Sequence, residues 1–332
     1  MSNAGGDVSG DDASPPLELR GVTKRFDDTV ALDNVSLTVR PGELFGLVGP
    51  DGAGKTTLFR IVTTLLLPDA GSATVLGMDV ARDLWAIRAR VGYMPGHFSL
   101  YPDLSVEENL GFFAAVFGTS IDEGRAVIAP IYSQIEPFRN RRADALSGGM
   151  KQKLALCCAL VHRPDILFLD EPTTGVDAVS RREFWDLLGS LKASGLPIIV
   201  STPYMDEAMR CDRVGLMQRG RILAVDAPAA IAARYPHPLF AVRAEERHRL
   251  IGVLRGYAHA VSVFPFGAEL HYADARNEVT PARIASGVHE YLAANGFRDA
   301  SVVPIAAGIE DAFMALMPAP EEPTPVPAGA AS

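Results

Sequence analysis

The chain is predicted to fold as an α/β protein interrupted by a helical insert, followed by a small α+β domain. Three observations predict it. Short β-rich runs alternate with helical periodicity between residues 17 and 228. A glycine-rich loop runs from an apolar strand straight into a helix. After residue 236 the pattern restarts as strand, helix, two strands, helix, strand.

Taken in order, Leu17–Leu19, Val35–Val39 and Leu44–Val48 read as strands, with Pro41-Gly42 marking a turn. The loop then opens a helix over Thr56–Leu67, stopped by Pro68. Residues 104–160 are mostly helical, with Val106–Phe117 and Gly149–Val161 the strongest segments; the insert is placed at about 96–160. Strand Ile166–Leu169, helix Arg181–Ala193, strand Ile198–Ser201, helix Met205–Arg210 and a hairpin about Arg219-Gly220 complete the first domain, residues 17–228. The second, residues 236–317, comprises strand Leu239–Ala244, helix Glu245–Tyr257, strands Ala260–Pro265 and Ala268–Ala273, helix Pro281–Asn295 and strand Ser301–Ile305. That order is ferredoxin-like.

Composition bounds the function. At 332 residues about two domains are expected, and 48% apolar with 21% charged residues suits a sizeable core. Residues 1–16 and 318–332 almost lack large apolar side chains and read as disordered tails. Of the net charge of −9, five units sit on Asp7, Asp11, Asp12, Glu321 and Glu322, leaving about −4 on the body. A broad basic face is therefore missing, which argues against a nucleic-acid partner. Apolar stretches such as Leu154–Val161 fall far short of the ~18 residues of a membrane span. The acidic N-terminus is no secretory signal, and Cys157, Cys158 and Cys211 make no disulfide or zinc framework. A cytoplasmic protein is expected.

Three segments carry chemistry. Gly49-Pro50-Asp51-Gly52-Ala53-Gly54-Lys55-Thr56 fits the phosphate-binding pattern G-x-x-x-x-G-K-[ST] between a strand and a helix. Its glycines turn backbone N–H groups inward, Lys55 reaches the β- and γ-phosphates, and the Thr56 hydroxyl suits Mg²⁺. Ile166–Leu169 is an apolar strand ending in Asp170 and Glu171: Asp170 suits Mg²⁺ coordination through water, and Glu171 suits a general base. Leu146–Gln152 opens a helix capped by Ser147, where exposed N–H groups can face an anion. Alone, either of the last two would be an ordinary solvated strand end or a capped helix.

Together, Gly49–Thr56, Leu146–Gln152 and Ile166–Glu171 resemble, in order and spacing, the Walker A, signature and Walker B motifs of an ABC transporter's nucleotide-binding subunit. The resemblance covers about residues 17–228 and implies a P-loop NTPase core. It implies ATP and Mg²⁺ as cofactors, bound by Gly49, Pro50, Asp51, Gly52, Ala53, Gly54, Lys55, Thr56 and Thr57. It also implies a head-to-tail homodimer or heterodimer, with Ser147, Gly148 and Gly149 of one subunit meeting the γ-phosphate on the other. By the same resemblance Phe26 stacks on adenine and Asp177 is the D-loop acid.

The wording Gly49-Pro50-Asp51-Gly52, Leu100–Asn109 and Gly175-Val176-Asp177, with a C-terminal domain ending Ile309–Phe313, is similar to the ABC-2 exporter subclass. Such subunits pair with a separate ABC-2 type permease, which places the chain on the cytoplasmic face of the membrane. The permease there touches the insert near residues 96–118, where Phe98, Tyr101, Phe112, Phe113 and Phe117 are candidates for docking or for plain core.

Two positions depart from that pattern: Gly96 stands for the Q-loop glutamine and Pro203 for the switch histidine. Neither side chain can bind a cation or phosphate. Three readings follow: slow hydrolysis on Lys55, Glu171 and Mg²⁺ alone; a partner subunit that supplies an intact site while this chain's site mainly binds ATP, as a regulatory clamp; or substitution by His97 or another group.

Overall fold

The computed structural model describes residues 14–96 and 100–317. The expectations for residues 1–13 and 318–332, and for His97 and Phe98, lie outside the described residues. Contacts divide the chain into two units, Met1–Pro228 and Ala229–Ser332.

The first unit begins with antiparallel strands β1 (Leu17–Phe26) and β2 (Thr29–Val39). Strand β3 (Leu44–Val48), buried at every position, leads through the glycine-rich loop into α1 (Lys55–Val62). This helix is shorter than the sequence suggests. Thr64 turns left-handed at φ 62°, and the Leu65 and Leu66 N–H groups both donate to the Arg60 carbonyl, satisfying the helix end and stopping it. Strands β4 (Ala70–Val75) and β5 (Met78–Asp79) complete an antiparallel sheet of order β2-β1-β4-β5.

Helix α2 (Leu84–Arg90) and strand β6 (Val91–Met94) precede the helical insert, made of α3 (Val106–Val116), α4 (Ile121–Tyr132) and α5 (Gly148–Leu160). Then come β7 (Ile166–Asp170), α6 (Ala178–Ala193), β8 (Ile198–Thr202), α7 (Met205–Ala208), β9 (Arg213–Gln218) and β10 (Arg221–Asp226). The second sheet has the order β10-β9-β3-β8-β7-β6 and is parallel except for β10. β3, β7 and β8 are buried along their whole lengths, which is why they read as continuous apolar runs rather than alternating ones. One core joins the sheets through α1, with Phe59 edge-on to Phe168 at 5.8 Å between ring centroids. Among the described residues no helix is long and apolar enough to cross a membrane.

Helix α8 (Pro228–Ala233) begins at the last residue of the first unit. The second unit contains β11 (Leu239–Arg243), α9 (Arg247–Arg255), β12 (Ala260–Phe266), β13 (Glu269–Asp274), α10 (Pro281–Ala294) and β14 (Ser301–Ile305). Its sheet is antiparallel throughout, of order β12-β13-β11-β14, the ferredoxin-like arrangement. Phe240, Tyr272, Ile284, Val288 and Leu292 fill its core. A final helix, α11 (Ile309–Leu316), follows; the sequence reading had no helix there.

Candidate functional site

Parallel β3, β7 and β8 bring their C-terminal ends together. In register, Val48 lies beside Thr202 and Asp170 beside Ser201, and the Gly49 N–H donates to the Thr202 carbonyl at 3.2 Å. Open α/β sheets present ligand sites at this edge. The loop folds tightly there because its glycines permit it. Gly54 adopts φ 106°, and a Cβ on it would lie 2.5 Å from the Ala31 carbonyl oxygen; a Cβ on Gly49 would lie 2.1 Å from that of Met217. A Cβ on Gly52 would meet nothing within 4 Å.

Lys55 is 3% exposed. Its ammonium donates to the Gly49 carbonyl at 2.7 Å and the Pro50 carbonyl at 3.0 Å, and pairs with Glu171 Oε1 at 3.1 Å. Glu171 itself sits in the left-handed region, φ 47°. Its N–H is shared between the Ser201 carbonyl at 3.1 Å and the Ser201 Oγ at 2.9 Å. The Ser201 hydroxyl in turn donates to Asp170 Oδ1 at 2.5 Å.

A cavity of about 510 Å³ is lined by Asp51, Gly52, Ala53, Gly54, Lys55, Thr56, Thr57 and Glu171, with Thr29, Val30, Ala31 and Arg219. The structure therefore brings most of the predicted loop together with Glu171. Gly49 and Pro50 take part through the carbonyls that hold Lys55, and Asp170 through Ser201. Phe26 does not line this cavity: it stands 45% exposed at the end of β1, with the Lys24 ammonium 5.6 Å from its ring centroid.

Ser147, Gly148, Gly149 and Asp177 form a separate cluster, none of them lining the cavity of their own chain. Ser147 caps α5 by accepting from the Met150 N–H at 3.3 Å. Asp177 caps α6, accepting from the Val179 and Ser180 N–H groups at 3.1 and 3.0 Å. Hydrogen bonds from Ser180, first the backbone and then the hydroxyl, hold the Asp177 carboxyl below its ordinary range. The two helices touch closely: a Cβ on Gly149 would lie 2.6 Å from Ser180 Oγ. Neither Gly96 nor Pro203 lines the cavity. A Cβ at Gly96 would lie 3.2 Å from the Asp170 carbonyl oxygen.

The sequence reading missed Thr29–Ala31, Arg219 and Ser201. Arg219-Gly220 is a two-residue turn with φ 46° and 77°, as hairpins of this kind require. The Gly220 N–H donates to the Ala53 carbonyl at 2.9 Å, and its carbonyl accepts from the Asp33 N–H at 2.9 Å. The turn was legible; its place behind the loop depends on strand order.

A second cavity, about 590 Å³, opens beside the insert and is lined mainly by apolar groups, among them Trp85, Tyr93, Pro95, Phe113, Val116 and Phe117, together with Arg88 and His162. Trp85 is 75% exposed. Burial, then the nearby charge of Asp170, pushes the Tyr93 phenol up to about 12. Tyr101, Phe112 and Phe113 stack edge to face in series, at 4.6 and 5.5 Å.

The donor set fits a magnesium nucleotide. Lys55 on the cavity would suit phosphate oxygens, and the Thr56 hydroxyl, with the Asp170 carboxylate through water, would suit Mg²⁺ bound alongside phosphate.

Comparison with known proteins agrees. A family described as ABC transporter matches residues 32–174. The probable multidrug ABC transporter ATP-binding protein YbhF of Escherichia coli (strain K12) is 45% identical over 232 residues, 68% of this chain; the chain spans only 40% of that protein. The Nod factor export ATP-binding protein I of Burkholderia thailandensis is 42% identical over 219 residues, which cover 65% of this chain and 72% of that protein. Among solved structures, one titled as the ATP binding subunit of an ABC transporter superposes with a TM-score of 0.60 at 28% identity, covering 66% of this chain and 92% of its own. The cassette MJ0796, solved as a dimer bound to ADP and Pi, does so with 0.58 at 26%, covering 64% and 98%. The phosphate loop, the capped Ser147 helix and the Asp170-Glu171 strand end thus sit on the matching cassette fold, and the chain belongs to the ABC transporter family as an ATP-binding domain.

Proposed function

We propose that this chain is the ATP-hydrolysing subunit of an ABC-2 type exporter, working as a homodimer or heterodimer of cassettes on the cytoplasmic face of a membrane permease. The observation that carries this reading is the convergence of the phosphate loop, Lys55 and Glu171 around one cavity. The loop N–H groups and Lys55 hold the phosphates. Thr56, and Asp170 through water, would hold Mg²⁺, which would supply charge neutralisation at the transferred phosphoryl group. Glu171 orients the attacking water and accepts its proton. Phe26 takes the adenine ring.

Ser147, Gly148 and Gly149 stand apart from their own chain's cavity, which suits a role toward the nucleotide of a second subunit, with Asp177 beside them. ATP held between two subunits draws them together, and hydrolysis releases them. The apolar groove beside the insert, with the exposed rings of Tyr101, Phe112 and Phe117, suits a permease segment. Export as the direction is supported by the names of the Nod factor and multidrug relatives.

A second reading, an ATP-binding clamp with little turnover, rests on Gly96 and Pro203, which bring no polar side chain to the site. Steady-state hydrolysis by the full chain separates the two. Glu171→Gln is expected to lower turnover about 100-fold or more while ATP binding is retained. If the wild type is already at the Glu171→Gln background while binding ATP, the clamp reading replaces the first; recovery in Pro203→His then locates the defect.

A further inference from the structure

We propose that Ser201 is a positioning residue for the acid pair, fixing Asp170 for the cation and Glu171 for the water; this rests on the hydrolytic reading of those two acids. The hydroxyl is fully buried and lies opposite Asp170 in the parallel pairing of β7 and β8. It has one proton and two lone pairs. The proton goes to Asp170 Oδ1, at 2.5 Å. A lone pair then accepts the Glu171 N–H at 2.9 Å, and the Ser201 carbonyl accepts the same N–H at 3.1 Å. One residue therefore orients both acids, through the side chain of the first and the backbone of the second.

Two consequences follow for the acids. Asp170 has one oxygen committed to the protein, which fixes the plane of its carboxylate and leaves the other oxygen for a cation's ligand shell. Glu171 is held at φ 47°, a conformation that residues with a side chain seldom adopt without support; the doubly accepted N–H provides that support. From there its carboxylate reaches Lys55.

The segment after Glu171 is pinned to β8 as well. Thr202 Oγ1 donates to Glu207 Oε2 at 2.5 Å, and Thr173 Oγ1 donates to Glu207 Oε1 at 2.6 Å; the Glu207 carboxylate is buried. Residues 170–173 are thus tied to Ser201-Thr202 at both ends. The ties come from the two residues just before Pro203, so the acids are oriented without any contribution from the side chain at 203.

The test uses the full chain with Ser201→Ala, Ser201→Cys (similar in size, a weak donor) and Ser201→Thr, which keeps the hydroxyl. The readout is Mn²⁺ affinity of the ATP-loaded protein by electron paramagnetic resonance, beside ATP affinity in EDTA. Ser201→Ala and Ser201→Cys are expected to weaken Mn²⁺ binding about 10-fold, as loss of a partner behind a metal ligand does, with ATP affinity in EDTA unchanged. Ser201→Thr is expected to bind Mn²⁺ like the wild type. Wild-type Mn²⁺ affinity in both the Ala and Cys variants overturns the proposal, and so does an equal loss in Ser201→Thr. Asp170→Asn runs in parallel. If it leaves Mn²⁺ affinity unchanged, the metal role of Asp170 fails and the proposal with it; if it weakens binding while the Ala and Cys variants do not, only the role of Ser201 fails.

Discussion

His162 lies flat against Phe117, with ring centroids 3.7 Å apart and planes 6° from parallel. Its Nε2 donates to the Val91 carbonyl at 3.1 Å, and its buried Nδ1 finds no partner among the described residues. Burial disfavours the imidazolium and outweighs the carbonyl's attraction for it, so the ring titrates below its ordinary value. The unfolded chain therefore binds the proton first as pH falls below about 6.5. Stability is fully present above that value and declines as pH drops toward the folded ring's own pKa. The thermal midpoint is expected to fall between pH 7.5 and 5.5, and His162→Phe to flatten that slope. The Asp177 and Asp69 carboxyls, held low by hydrogen bonds from Ser180 and from Lys24, add acid sensitivity only below the ordinary carboxylate range, outside this window. That Lys55 stands at the phosphate loop and that Ser147 caps a helix was legible in the sequence, because both are written in local patterns. Ser201 was not: its role exists only because β8 lies beside β7, a pairing across about thirty residues that no local pattern records.

Helices α3 and α5 were legible from their periodicity, and both carry serine caps. Ser105 and Glu108 form a reciprocal capping box, the Ser105 Oγ accepting at 3.2 Å from the Glu108 N–H and Glu108 Oε2 at 2.8 Å from the Ser105 N–H. That second bond, from the Ser105 backbone, is the main reason the Glu108 carboxyl is held low. Helix α4 is capped as well, the Ser120 Oγ accepting from the Glu123 N–H at 3.2 Å, but Gly124 and Pro130 break up its helical pattern. The glycine is there for packing: a Cβ on it would lie 2.3 Å from the Val161 carbonyl oxygen at the end of α5. Gly124→Ala is expected to destabilise the fold by about 1–3 kcal/mol, the usual cost of overpacking, read as a lowered urea midpoint. ATP affinity should not change, since α4 contributes nothing to the cavity. Strand β4 was equally hard to foresee. Ala70–Val75 is mostly small residues, and its pairing with β1 makes it a strand.

Each unit has its own buried cluster, one around Phe45, Phe59 and Phe168 and the other around Phe240 and Tyr272. A domain with its own core folds by itself. Residues 14–228 are therefore expected to fold cooperatively and bind ATP as the full chain does; a fluorescent-nucleotide titration showing affinity weaker by about tenfold or more would contradict this. At this scale the strand-helix sequence of the second unit was legible, while the order of strands in the central sheet was not. That order has a temporal side. β3, which carries the phosphate loop, is flanked by β8 and β9, and the loop is braced from behind by Gly220. A ribosome finishes the loop's own residues by Thr56, yet releases those neighbours only after some hundred and sixty more. At about 5–20 residues per second, the growing chain spends on the order of ten seconds with a complete motif and no site, and must keep it soluble until its flanking strands emerge.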